Sequence, residues 1–155
     1  KKQKRYMTQE LIDRIVEFGT NEKLESENKT FEIQKLLVGI YAEYLNVETE
    51  FDPTDYEEPL NLDYDGIRSV VTEHFPDFGW YHSAWESHKI IEDADLVTED
   101  SIDDLTDIIK DLIEVQWRLE NNSEKDGIYH FEFLMKNHSE QHLVNLLKYL
   151  KDKNG

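Results

Sequence analysis

Two histidines stand four residues apart in the segment HFEFLMKNHSEQHLVNLLKYL, which runs from His130 to Leu150. At about 100° per helical residue, His138 and His142 fall within roughly 40° of each other. One helix can offer two imidazoles to a divalent metal in that arrangement. The zinc-peptidase version of this spacing carries a glutamate directly after the first histidine. Here the residues are H-S-E-Q-H, and Glu140 lies roughly 160° around the helix from His138. Phe131, Leu134, Met135 and Tyr149 share the histidine sector, so both rings are expected to point inward. On that reading they are core histidines, satisfied by a carbonyl or a carboxylate.

A second polar constellation lies upstream. Asp100, Asp104, Asp107 and Asp111 occupy about 60° of arc at helical pitch. So many like charges on one stripe are unfavourable unless solvated, neutralised or coordinating a cation. The apolar stripe of Leu105, Ile108, Ile109, Leu112 and Ile113 is centred elsewhere, so the aspartates are expected to flank the core or face solvent. Asp100 and Ser101 also suit the cap of the helix. If this helix and the histidine helix pack antiparallel, Asp104 or Asp107 approaches His138 or His142. Asp, His and His together suit zinc, iron or manganese. Without a metal they form a charge-assisted network that fixes helix register.

The remaining candidates are weaker. Trp80, Tyr81, Trp85 and His88 fall within the short run GWYHSAWESH, an aromatic pocket for a cation or small ligand, or a plug at the bundle's end. Nearby acids would also let it dock a basic peptide. Asp104-x-x-Asp107 and Glu10-x-x-Asp13 have the form of the magnesium-binding pairs of all-helical nucleotide pyrophosphatases. About ninety residues separate them, and no basic phosphate-binding residues accompany them. There is no glycine-rich phosphate loop, nucleophile elbow or cysteine nucleophile.

The helical period that positions these residues dominates the chain. Thr8 is expected to cap a first helix bearing Leu11, Ile12, Ile15, Val16 and Phe18, with Gly19 as its stop. Thr30 is expected to cap a second helix that buries Phe31, Ile33, Leu37, Ile40, Tyr41 and Tyr44. Residues 46–63 form a long acidic loop, draped over the surface or serving as a lid. A third helix spans 64–75 and ends before Pro76. VTEDSIDDLTDIIKDLIEVQWRLENN reads as a long fourth helix, and the turn SEKDG leads into the fifth. So short a connection predicts an antiparallel C-terminal helix pair. With 6 Gly and 3 Pro, a turn-rich β fold is disfavoured, and the expected fold class is all-α: one domain over residues 1–155, a bundle of about five helices.

Composition sets the partners. The net charge of −18, from 35 acidic and 17 basic residues, opposes binding to nucleic-acid phosphates and anionic membranes, and favours a basic protein or peptide. The basic start KKQKR is expected to fray with residues 1–7. Absence of cysteine excludes disulfides and thiolate zinc sites. No apolar run approaches the roughly 18–20 residues of a membrane span, so a cytoplasmic location is expected.

The segments SIDDLTDIIKDLIEV and HFEFLMKNHSEQHL, together with FPDFGWY at residues 75–81, resemble the uncharacterised bacterial family named domain of unknown function 5063. That family pairs an acidic helix of the form (S/A)-I-D/E-D-L/I-A-D-I with a terminal helix F-x-x-x-H-W-G-x-H-L. Ser101, Ile102, Asp103, Asp104, Leu105, Asp107, Ile108 and Asp111 match the first, and His138, His142 and Leu143 the second. The likeness covers roughly the C-terminal 90 residues. Ser139 and Glu140 replace the family's Trp-Gly. The resemblance implies a helical bundle, and the family has no assigned activity. The resulting expectation is an acidic protein-binding or adaptor module without a cofactor. The alternative is a metal-binding protein or metal-dependent hydrolase holding a divalent metal through Asp104, Asp107, His138 and His142, with Asp111 beside them.

Overall fold

The computed structural model describes residues 2–59, 61–90 and 92–155, with side chains from Met7 onward. The fold is mainly helical: α1 (Lys2–Thr20), α2 (Lys29–Leu45), α3 (Tyr64–His74), α4 (Ser101–Asn121), α5 (Glu124–Leu134) and α6 (Glu140–Asn154). A π-helical turn, Met135–Ser139, joins α5 to α6 without a break in helical backbone, so the two behave as one long helix. Two strands, β1 (Trp80–Ala84) and β2 (Leu96–Asp100), form an antiparallel pair. The expectation of an all-α chain is therefore corrected.

The strand pair arises where a fourth helix starting at Val97 was expected. Asp100 prevents that start: its side chain accepts the Ile102 N–H at 3.0 Å and caps α4. Upstream of the cap, Val97 and Thr98 are β-branched and suit a pleat. They pair with Ser83 and His82 of β1. Other boundaries moved for similar local reasons. The sequence KQKRYM contains no helix breaker, so α1 begins at Lys2, well before Thr8; Lys1 lies outside the described residues. Asn28, rather than Thr30, caps α2 by accepting from Phe31 N–H. Gly19 does not stop α1; a Cβ there would sit 2.7 Å from Ile109 and 2.9 Å from Ile67, so glycine lets α1 press against α3 and α4.

Helix α4 is the axis of the molecule. It is buried on more than one side, through Ile102, Leu105, Ile108, Ile109, Leu112 and Val115. It packs against α1 and α3 on one side and α5 and α6 on another. Phe131, Met135, Leu143, Leu146 and Leu150 complete the core from the C-terminal helix. The connection between α4 and α5 is only Asn122 and Ser123, whose hydroxyl caps α5 by accepting from Asp126 N–H. Contacts then pair Arg118 with Asp126, Asp111 with His138 and Asp104 with His142. As residue numbers fall on α4 they rise on its partner, which makes the pair antiparallel, as expected.

The acidic loop 46–63 is fastened at the α4–α5 turn. Asp52 accepts from Ser123, Glu58 pairs with Arg118, and Glu50 pairs with Lys125. Phe31 is exposed with Lys35 over its ring, contrary to its expected place in the α2 core stripe. Among the described residues, no helix is long and apolar enough to cross a membrane.

Candidate metal centre between α4 and the C-terminal helix

Asp104, Asp107 and Asp111 stand at i, i+3 and i+7 on α4, so they share one face. The antiparallel packing aims that face at the π-turn and the start of α6, where His138 and His142 project. The result is an alternating ladder of acids and imidazoles. His138 Nδ1 lies 2.7 Å from Asp111 Oδ2, and His142 Nδ1 lies 2.7 Å from Asp104 Oδ1. Between them, Asp107 Oδ2 is 3.3 Å from His142 Nε2 and 4.0 Å from His138 Nε2. The rings meet edge-on with centroids 4.9 Å apart. Asp107, His138 and His142 each present a ligand atom within 4.8 Å of the others.

Of the two expected placements, flanking the core or facing solvent, the first is the one found. The side chains of Asp104, Asp107 and Asp111 are only 1%, 18% and 15% exposed. α4 is covered on two sides, so the face flanking its apolar stripe meets another helix rather than water. The expected inward pointing of both histidines needs revision: His142 is 21% exposed, but His138 is 46% exposed at the rim.

The hydrogen-bond chemistry fixes the tautomers. Carboxylates accept only, so each Nδ1 must carry the hydrogen it donates to Asp104 or Asp111. In a neutral ring Nε2 then presents a lone pair, and both lone pairs converge on an oxygen of Asp107. Three electron-rich atoms converge without repulsion only if a proton, on a ring or on Asp107 itself, or a metal ion lies among them. Ligands around one ion at about 2.1 Å sit roughly 3–3.5 Å apart. Asp107 and His142 already have that spacing, and His138 needs only a small ring movement. An Nδ1–H held by a carboxylate while Nε2 faces the ion is the usual support of a metal-bound histidine.

Electrostatics describe the same demand for positive charge. Burial most strongly raises the Asp107 carboxyl above its usual range; Asp103 adds to the effect, His142 and His138 oppose it, and Asp111 adds again. Burial disfavours a charged His142. Even so, its hydrogen bond to Asp104 and the charges of Asp104, Asp107 and Asp103 hold its pKa above the ordinary value. Tyr81 donates to the second oxygen of Asp104, and burial together with that bond pushes the phenol far up. Tyr64 donates to Asp103 and is pushed up to about 12 by burial and then by this bond. Arg68 pairs with Asp100 at 2.7 Å, so Asp100 leaves the stripe to serve as a cap and ion-pair partner.

The other candidate sites are not assembled. Trp80 and Tyr81 are adjacent in β1 and therefore point to opposite faces. Tyr81 turns to Asp104, whereas Trp80, Trp85 and His88 are exposed, so these four residues form no common pocket. The two acidic pairs of the pyrophosphatase pattern are far apart. Asp13 accepts from Gln116, which is about 18 Å along α4 from Asp104. Tyr81, expected in the aromatic pocket, belongs instead to the aspartate–histidine site, and Ser139 was not expected there. The first was grouped with its aromatic neighbours, and the second lies off the histidine face of a regular α-helix. The fully buried Ser139 hydroxyl donates to Asp111 Oδ2 at 2.6 Å.

No family model and no curated protein matches the chain. The fold is similar to that of a solved structure, protein BF1032 from Bacteroides fragilis, a structural-genomics target. The TM-score is 0.72, with 13% sequence identity, covering 97% of this chain and 91% of that one. At that identity the likeness shows a shared fold and carries no chemistry.

Proposed function

We propose that this protein binds a divalent transition metal (zinc, iron or manganese) through Asp107, His138 and His142. Asp104 and Asp111 orient the imidazoles. The observation that carries this reading is the convergence of both Nε2 atoms on one oxygen of Asp107, with both Nδ1 atoms already committed to carboxylates. Three protein ligands leave positions for water, and the exposed edge of His138 opens them to solvent.

Charge separates metal binding from phosphate chemistry. Four carboxylates, Asp103, Asp104, Asp107 and Asp111, surround two imidazoles, so one dication leaves the neighbourhood negative. That field repels phosphate esters and disfavours the pyrophosphatase-like alternative. The test is calorimetric titration of metal-free protein with zinc, manganese and cobalt. Stoichiometric binding that disappears in His142→Ala and in His138→Ala is expected. Absence of binding in the wild type, or binding that both variants retain, would overturn the proposal.

A docking role for a basic partner has separate support in the net charge of −18 and in the exposed Trp80, Trp85 and Leu96 of the hairpin. Binding of a basic peptide that persists in both histidine variants would establish that role apart from the metal centre. Kinship with domain of unknown function 5063 stays a proposal supported by the motif residues of α4 and the C-terminal helix.

A further inference from the structure

Asp111 holds two donors on a single oxygen. His138 Nδ1 reaches Oδ2 at 2.7 Å and the Ser139 hydroxyl reaches the same atom at 2.6 Å. Consecutive residues of a regular α-helix diverge by about 100°, which makes such convergence difficult. The π-turn resolves this. The Glu140 N–H bonds to the Met135 carbonyl, five residues back, so the turn is one residue wider. Such widened turns are frequent at functional sites. Ser139 is fully buried and His138 is the most exposed of the three proposed ligands. One neighbour is thus fixed inside the protein while the other faces solvent, and Asp111 joins them.

We propose that Ser139 is the positioning residue of the centre: by fixing the Asp111 carboxylate, it holds His138 with Nε2 toward Asp107 and sets how long a bound metal stays. This inference rests on the metal-binding reading above. Without the Ser139 hydroxyl, the carboxylate can rotate and the exposed imidazole can leave Asp107. His142 is held independently, since its Nδ1 bonds Asp104 and Asp104 is also held by Tyr81. Loss of the hydroxyl therefore acts on one ligand and leaves the other in place.

Two measurements on the full chain test this. The first needs no metal. At alkaline pH, where imidazoles are neutral, nitrogen NMR reads the tautomer of each ring. His138 is expected as Nδ1–H in the wild type, and as a mixture with Nε2–H in Ser139→Ala, with His142 unchanged. The second follows cobalt release into excess chelator. Ser139→Ala is expected to accelerate release about 10- to 100-fold, the usual scale for losing a supporting hydrogen bond. Its visible cobalt spectrum should change as well, whereas a general loss of stability would disturb both rings alike. If Ser139→Ala does not fold, Ser139→Cys, whose S–H is only a weak donor, carries both measurements with the same expected outcomes. An unchanged His138 tautomer overturns the positioning role whatever the metal does. Unchanged cobalt release with the tautomer altered also overturns it. If the wild type binds no metal in the calorimetric test, the parent reading fails and the role in metal retention fails with it.

Discussion

Helix α4 carries a polar cluster toward each end, and both join it to the same antiparallel partner. At the C-terminal end, Arg118 bonds Glu58, Glu114 and Asp126, and Asn122 also donates to Asp126. At the N-terminal end, the partners of Asp104, Asp107 and Asp111 among the described residues are imidazoles, a phenol and a serine hydroxyl. A guanidinium is always charged, so Arg118 gives buried Asp126 a permanent counter-charge, although it is one cation among three carboxylates. An imidazole can be neutral, so the second cluster has no permanent counter-charge. The one buried acid of the first cluster, Asp126, thus has a fixed charge partner as folded, whereas the buried acids of the second depend on rings whose charge can change.

Removing the permanent cation has the largest expected effect. Arg118→Ala leaves Asp126 buried with Asn122 as a donor and His130 Nδ1 3.2 Å from its other oxygen. Breaking a buried ion pair in this way costs about 3–5 kcal/mol, and the Asn122 bond favours the lower end. Urea unfolding measures it, and zinc should not restore the loss. A cost below about 1 kcal/mol would show that the cluster is solvated and the contrast false.

The second effect belongs to the other cluster. At a hundredfold excess over its dissociation constant, a bound metal stabilises the folded chain by about 2.7 kcal/mol. Wild-type protein and Arg118→Lys should both show this stabilisation, whereas His142→Ala should show none. Thermal melts with and without zinc make the comparison, and equal shifts in all three proteins would place the metal elsewhere.

Tyr81→Phe tests how the strand pair supports the site. Asp104 would keep His142 but lose a charged-acceptor hydrogen bond in a buried position, at a cost of about 1–3 kcal/mol. The variant should also bind metal more weakly, because His142 is oriented through Asp104. A stability loss with unchanged affinity would confine Tyr81 to structure.

Much of this arrangement was legible in the sequence because it depends on helical spacing. The i, i+3, i+7 aspartates, the i, i+4 histidines and a short turn near SEKDG together place the seam, although the turn proves to be only Asn122 and Ser123, with Glu124–Gly127 already in α5. What was illegible depended on competing local choices. Val97 and Thr98 could extend a helix, and only the capping of Ile102 by Asp100, together with pairing to β1, decides for a strand. Tyr81 reads as one of four neighbouring aromatics until the alternation of a strand separates it from Trp80. Ser139 is invisible to a regular helical wheel, because the π-turn that brings it to Asp111 shifts the register by one residue. Whether the aspartates flank the core or face solvent was left open by the sequence, and the cover on two sides of α4 decides for the core.

The smallest expected effect lies at the permanently charged end and distinguishes it by pH. Asp52 accepts from Ser123, Thr54 and Tyr56, which hold its carboxyl well below the usual range. A depressed carboxyl contributes stability that is present above its unfolded pKa and is lost as pH falls through its folded value. Ser123 also caps α5, so Asp52 ties the acidic loop to the start of the C-terminal helix. Asp52→Asn should weaken this tie slightly near neutral pH and flatten the acid side of the stability profile, with metal affinity unaffected. Carboxyl carbon shifts followed through acid titration check the first point, and melts across the same range check the second. If Asp52 titrates as a free carboxylate, the loop is not fastened there. The loop would then be held at that end of α4 by the Arg118–Glu58 and Lys125–Glu50 pairs.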